Sequence, residues 1–168
     1  MAEVTASQMP DWESQLAGLL PLFGHRNWIV VADSAYPLQS KPGITTLVAD
    51  AGQFETVRKV RDAVAACKHV RANVYTDVEL GFVEEADAPG IVNYWHQLEA
   101  LLGVSAKQLP HEQIIAKLDQ SAEVFRILII KTDMTIPYTS VFFELDCGYW
   151  SAEAEQRLRQ AILAAEPK

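Results

Sequence analysis

Trp28-Ile29-Val30-Val31-Ala32, followed at once by Asp33-Ser34-Ala35-Tyr36-Pro37, is the stretch from which the fold can be read. A short, apolar, β-branched run that meets a polar, proline-containing loop is the pattern of a strand buried on both faces. Upstream, Trp12, Leu16, Leu19, Leu20, Leu22 and Phe23 recur at helical spacing behind Asp11, which is placed to cap the helix. Gly24 is expected to end that helix through glycine's ease at positive φ. Asp33 to Pro37 then forms the loop at the strand's carboxyl end, where ligands of open α/β sheets tend to bind.

Working outward, Ile44 to Ala49 reads as a second strand, and Phe54 to Cys67 as a helix whose stripe is Phe54, Val57, Val60 and Val64. Val70 to Thr76 alternates like a strand, and Val78 to Glu84 reads as another extended piece. Ala88-Pro89-Gly90 is a turn, and Ile91 to Leu102 a helix with Gly103 near its end. Ser105 to Pro110 is a connection to a helix over His111 to Ala122, with Ile114, Ile115 and Leu118 on its apolar face. Phe125 to Ile130 and Val141 to Leu145 are strands separated by a loop over Lys131 to Pro137. A last helix starts at Ser151, with Leu158, Ile162 and Leu163 on one side. Alternating helices and strands without internal repeats predict one domain over residues 1–168, a three-layer α/β/α fold. Residues 1–10 are expected to be a loose N-terminus.

The composition suits a globular chain that can bury a substantial core: 49% hydrophobic and 21% charged over 168 residues. A net charge of -8 and a pI near 4.9 argue against nucleic acid and against an anionic membrane surface, both of which need clustered Lys and Arg. A neutral or cationic small molecule fits that charge better. Cys67 and Cys147 are far apart and read as buried thiols. The first twenty residues lack the basic start and apolar run of a signal peptide, and no stretch approaches the ~20 apolar residues of a spanning helix. A cytoplasmic location is the expectation.

The generic catalytic signatures are missing: no Gly-rich phosphate loop, no Gly-x-Ser-x-Gly elbow, no His-Glu-x-x-His pair. Of the four histidines, His69 and His96 read as surface residues. His25 lies at a corner between a helix-ending glycine and a buried strand, where an imidazole can move protons near neutral pH. Asp33 can accept hydrogen bonds from a ligand hydroxyl. Spacing alone favours a satisfied corner histidine, and reads Asp33 as a turn cap as readily as a ligand-binding group.

Three blocks, in order, tilt that balance. Gly24-His25, the strand, then Asp33-x-x-x-Pro37 is the first; His111-Glu112-Gln113 is the second; Pro137-Tyr138-Thr139-Ser140, an apolar strand and Gly148 is the third. Together they resemble the D-ribose pyranase / L-fucose mutarotase family over roughly Leu16 to Gly148. The resemblance implies an RbsD-like three-layer fold with a mixed central sheet, extended by a C-terminal helix over 151–168. It implies an isomerase in which His25 is the acid/base, Asp33 and His111 bind sugar hydroxyls, and Tyr138 lies in the sugar site to stack on the ring or relay a proton. Ser140 stands where the family has Asn and would supply a weaker hydrogen bond, and Asp133-Met134 replaces the family's Gly-Glu.

The implied reaction opens a monosaccharide hemiacetal and recloses it on the other face or into another ring size. It passes through the open aldehyde and requires neither metal nor cofactor. The implied assembly is a ring-shaped homo-oligomer, such as a decamer, with sites near subunit boundaries. Trp95, Phe143 and Trp150 are candidate interface aromatics, and core packing accounts for them equally well. Tyr36 before Pro37 is closer to fucose-type members, and His111 to ribose-type ones, so both sugars stay open. A sugar-binding or regulatory protein that kept the fold without the chemistry is the alternative, and an isomerase or lyase on another sugar derivative is a third reading.

Overall fold

Strand β1, Trp28–Ala32, is buried along its whole length, because it lies between two other strands and under helices on both faces. In the computed structural model, which describes residues 11–165, it is a central member of a six-stranded mixed sheet ordered β2-β5-β1-β6-β3-β4. The others are β2 (Ile44–Val48), β3 (Val70–Asp77), β4 (Lys107–Leu109), β5 (Ile127–Lys131) and β6 (Val141–Cys147). β1 is parallel to β5, β5 to β2, and β3 to β4, whereas β6 runs antiparallel to both β1 and β3. All strands except β6 therefore share one direction, and their carboxyl ends meet the start of β6 along a single sheet edge.

The helices are α1 (Trp12–Leu19), α2 (Gln53–Ala65), α3 (Ile91–Leu102), α4 (His111–Ala122) and α5 (Ala152–Ala165). Strand alternation sorts the core into two layers. Ile29, Val31, Leu128, Ile130 and Phe143 point to the face covered by α1, α2 and α3. Trp28, Val30, Ile127, Ile129 and Phe142 point to the face covered by α4, through Ile114 and Leu118. Trp28 has no exposed surface; it stacks on Tyr75 at 5.8 Å and donates its indole N–H to Ser121 Oγ. The expected three-layer α/β/α arrangement with a mixed sheet is the fold observed.

Several local expectations change. Gly24 does not take a positive φ; α1 instead runs into a 3₁₀ turn over Leu20–Leu22 begun by Pro21, and the left-handed residue is Arg26, at φ 75°. Gly24 N–H is taken by Asn27 Oδ1 at 2.7 Å. Val78–Phe82 is a 3₁₀ turn rather than an extended piece. Lys107–Leu109, within the expected connection, pairs with β3 as a short edge strand. His69 is half-buried and its Nε2 lies 3.1 and 3.0 Å from the carbonyls of Leu20 and Phe23, so it ties down the end of the first helical segment. Phe143 is a core residue with no exposed surface, while Trp150 is exposed and donates to Glu155. Both thiols are free and half-buried.

Residues 1–10, expected to be loose, lie outside the described residues. Helix α5 is present as expected and buries none of its residues. No described helix is long and apolar enough to cross a membrane.

Candidate functional site

The sheet edge where five strands end and β6 begins carries the site. Because the parallel strands stop together, the loops that follow them are neighbours in space whatever their separation in sequence. A cavity of about 560 Å³ opens there, lined by the loop after β1 (Asp33 to Pro37, with Gln39), by Asp77 at the end of β3, by His111, Glu112 and Ile115 of α4, and by Met134 to Tyr138 before β6. Its size is that of an ordinary small-molecule site.

Asp33 has both roles that the sequence left open. Its Oδ1 accepts the Ala35 N–H at 3.0 Å, capping its own turn, while Oδ2 accepts a hydrogen bond from Ser140 Oγ at 3.2 Å. The Asp33 N–H donates back to Ser140 Oγ at 3.3 Å. A serine hydroxyl can donate and accept at once, so Ser140 clamps Asp33 from 107 residues downstream. Ser140 is only 2% exposed and lies behind Asp33, outside the cavity wall. Its expected place among the groups facing a ligand thus becomes a place one layer deeper.

His111 opens α4. Its N–H, one of the donors that a helix start leaves free, is accepted by both carboxylate oxygens of Glu79 at 3.1 Å. Its Nδ1 lies 3.0 Å from Asp77 Oδ2. Asp77 is fully buried and its Oδ1 has no partner among the described residues. Burial pushes its carboxyl up to about 6, the facing His111 ring pulls the other way, and the carboxylates of Glu79 and Asp33 add to the rise. Asp77 is the residue that sequence reasoning missed. It closes an ordinary strand pattern, and nothing local marks it as the partner of a histidine 34 positions away.

Tyr138 stands edge-on to His111, with ring centroids 5.8 Å apart. Its φ is 58°, a left-handed conformation that costs a non-glycine residue on the order of 1 kcal/mol or more. A buried polar network holds the loop in that shape. Gln53 Nε2 donates to the carbonyls of Val31 (3.1 Å) and Thr139 (2.9 Å), Thr132 Oγ1 donates to Gln53 Oε1 (2.6 Å), and Tyr94 Oη donates to the Thr139 carbonyl (2.7 Å). Met134, in the altered Asp133-Met134 pair, lines the cavity, and its carbonyl accepts the Ser34 N–H at 2.8 Å. Tyr36 is buried in the cavity floor with its hydroxyl unpartnered among the described residues, and its phenol is held well above the usual range by burial and by Asp119, Asp77 and Asp33.

His25 is elsewhere. It precedes β1, so it lies at the opposite sheet edge from Asp33. There its Nδ1 pairs with Asp146 Oδ1 at 2.8 Å, and Asp146 also accepts from Arg71 (2.9 Å) and from the Cys147 N–H (2.7 Å). Burial raises the Asp146 carboxyl, but those three bonds outweigh it and leave the group below its ordinary value. A second cavity, about 730 Å³, surrounds this cluster and takes one wall from Trp150, Glu155 and Arg159 in and beside α5. The structure therefore brings Asp33, His111 and Tyr138 together, places Ser140 behind them, and leaves His25 at the far end of the same strand. Among the described residues, no three or more His, Cys, Asp or Glu side chains gather as a metal-binding group.

Comparison with known proteins matches this architecture. RbsD from Bacillus subtilis, solved in complex with D-ribose, superposes with a TM-score of 0.56 at 20% identity, over 83% of this chain and 96% of that one. The fucose mutarotase from Streptococcus pneumoniae, in complex with L-fucose, gives 0.51 at 17% identity, over 87% and 98%. FucU from Bifidobacterium longum gives 0.52 at 15% identity, over 79% and 92%. At such identities these likenesses establish a shared fold. No curated protein matches the chain in sequence. The sequence profile of the RbsD / FucU transport protein family covers residues 10–148, from before α1 to the glycine that closes β6, and on that match the chain belongs to this family.

Proposed function

We propose that the protein is a monosaccharide mutarotase or pyranase, an isomerase acting on a sugar such as ribose or fucose. The observation that carries this reading is the convergence of Asp33, His111 and Tyr138 on one cavity at the carboxyl edge of the sheet. The two family structures solved with D-ribose and L-fucose support the substrate class.

The chemistry asked of the site is modest. A base removes the anomeric hydroxyl proton, the carbonyl forms as the bond from the anomeric carbon to the ring oxygen breaks, and the ring oxygen takes a proton. Rotation about the adjacent C–C bond and the reverse sequence close the other anomer or ring. Atoms and oxidation states are unchanged overall. Asp33, held by Ser140, and His111 bind hydroxyls; Tyr138 stacks on the sugar or relays a proton.

His25 enters this scheme only through a second copy of the chain. β1 alone spans roughly 16 Å, too far for one sugar to bridge from its start to its end. In a ring-shaped homo-oligomer, such as a decamer, the His25 edge of one protomer completes the cavity of its neighbour. A single protomer with His25 outside its cavity also favours a second reading, a sugar-binding protein without the chemistry.

Saturation-transfer NMR on D-ribose and L-fucose tests the proposal. Accelerated anomer or ring exchange is expected, reduced on the order of 100-fold in Asp33→Asn and His25→Ala. A thermal shift with sugar but no exchange supports the binding-protein reading, and neither effect with any common monosaccharide overturns both.

A further inference from the structure

Opening a hemiacetal needs two proton transfers, one at the anomeric hydroxyl and one at the ring oxygen. The proposal above gives one of them to a histidine that a neighbour must supply. The cavity of a single protomer holds a second histidine, and its surroundings differ from those of a plain hydrogen-bonding group. His111 Nδ1 faces Asp77 Oδ2 at 3.0 Å, and the carboxylate behind it is completely buried. The His111 N–H is anchored on Glu79, the ring is braced edge-on by Tyr138, and Nε2 has no partner among the described residues. A carboxylate on Nδ1 selects the tautomer with the proton on that nitrogen and leaves Nε2 with a free lone pair.

We infer that Asp77 is a positioning residue that makes His111 a proton-transfer group of this cavity as well as a hydroxyl-binding one. The inference rests on the cavity being the sugar site proposed above. His111 Nε2 takes the proton from the anomeric hydroxyl, and the O–H electron pair becomes the new carbonyl bond. The anomeric carbon's bond to the ring oxygen breaks, and its electron pair receives a proton from the acid on the other side of the sugar. The imidazolium formed is stabilised by the buried Asp77 carboxylate at 3.0 Å, and the proton returns on reclosure. Asp77, with no exposed surface, sits behind the His111 ring. Its influence passes through the ring it holds, which separates it from Asp33.

The groups that face this pair are Glu79, Asp33 and Glu112, with the phenols of Tyr36 and Tyr138; among the described residues no lysine or arginine lines the cavity. The carboxyl is pushed up to about 6, so it is ionised and able to hold Nδ1–H above that pH and is protonated below it.

The test uses the full-length protein with ¹⁵N-labelled histidine. Long-range ¹H–¹⁵N correlations in the wild type at pH 7.5 are expected to show His111 carrying its proton on Nδ1. Asp77→Asn is expected to lower kcat for sugar exchange on the order of 100-fold, with KM little changed and the acid limb of the pH–rate profile near 6 lost. Asp77→Glu is expected to recover part of the rate. A wild-type His111 protonated on Nε2 overturns the inference, whether or not the variants fold. So does an Asp77→Asn protein with unchanged kcat and pH profile. A wild type that exchanges no sugar overturns the mutarotase reading instead, and the tautomer measurement still decides the role of Asp77.

Discussion

His25 and Asp33 stand at opposite ends of β1, one before its first residue and one after its last, in two separate cavities. A five-residue strand spans roughly 16 Å, so a sugar held by Asp33 cannot reach His25 of the same protomer. Mixing two dead proteins therefore separates the readings. Denatured and co-refolded His25→Ala and Asp33→Asn chains are expected to regain a measurable fraction of wild-type exchange, because some hybrid cavities combine an intact His25 edge with an intact Asp33 edge. Saturation-transfer NMR reads the recovery. If mixed assemblies form and stay as inactive as the parents, His25 does not act across a subunit boundary.

Ser140 exchanges two hydrogen bonds with Asp33 from behind the cavity wall. Ser140→Ala leaves the Asp33 N–H and one carboxylate oxygen without their buried partner, at a cost of about 1–2 kcal/mol in stability. It also frees the carboxylate to turn. Urea denaturation is expected to show that loss, and sugar titration a several-fold weaker affinity. An unchanged affinity would mean that the turn made with Ala35 is sufficient to hold Asp33.

Gln53 is 2% exposed and supplies three buried hydrogen bonds around the loop that carries Tyr138. Gln53→Leu keeps the volume and removes three buried hydrogen bonds, although the Thr139 carbonyl keeps the Tyr94 hydroxyl and Thr132 Oγ1 keeps the Ala32 carbonyl. The expected destabilisation is about 2–4 kcal/mol. Because Tyr138 holds a left-handed backbone only while its loop is pinned, sugar affinity is expected to fall as well. Denaturation and sugar titration on the same variant check both. A loss of stability with full affinity would show that Tyr138 is held by its own ring contact with His111.

Asp77 gives a pH dependence with a definite sign. Its folded value, near 6, lies above its ordinary 3.8, so folding favours the protonated acid. That contribution is complete below about pH 4 and is lost as the pH rises through 6, when a buried carboxyl must ionise. Asp77→Asn removes the ionisation and keeps the shape. Its melting temperature is expected to exceed the wild type's by about 6–12 °C at pH 8, with the gap narrowing as the pH falls and closing by about pH 4. Melting curves at the two pH values decide it. A variant less stable than wild type at pH 8 would mean that the pair with His111 outweighs the burial of the charge.

Much of the architecture was legible in local pattern. Trp28 to Ala32 has the run of a strand covered on both faces, the stripe at Val57, Val60 and Val64 is helical, and Ile127 to Ile130 is apolar throughout; each became the element expected. Where pattern misled, a tertiary contact had won. Val78 to Phe82 has an extended look, but the chain turns there to bring Glu79 to the His111 N–H. Lys107 to Leu109 is too short and polar to signal a strand, and becomes one only because β3 offers a free edge. Gly24 seemed the natural left-handed residue, yet Pro21 ends the helix earlier and Arg26 takes that conformation.

The candidate site divides along the same line. The sequence, through its resemblance to the family, singled out Asp33, His111 and Tyr138 as candidates, and local pattern placed each at or near the end of an element, where polar residues interrupt apolar runs. The tertiary structure alone decided which of them share a cavity. Three depend on the sheet's order and direction: Asp77 behind His111, Ser140 behind Asp33, and His25 at the far edge. The reason is that side-chain periodicity is set over a few residues along the chain, whereas strand order is set by packing between segments a hundred residues apart, and only strand order determines which ends are neighbours.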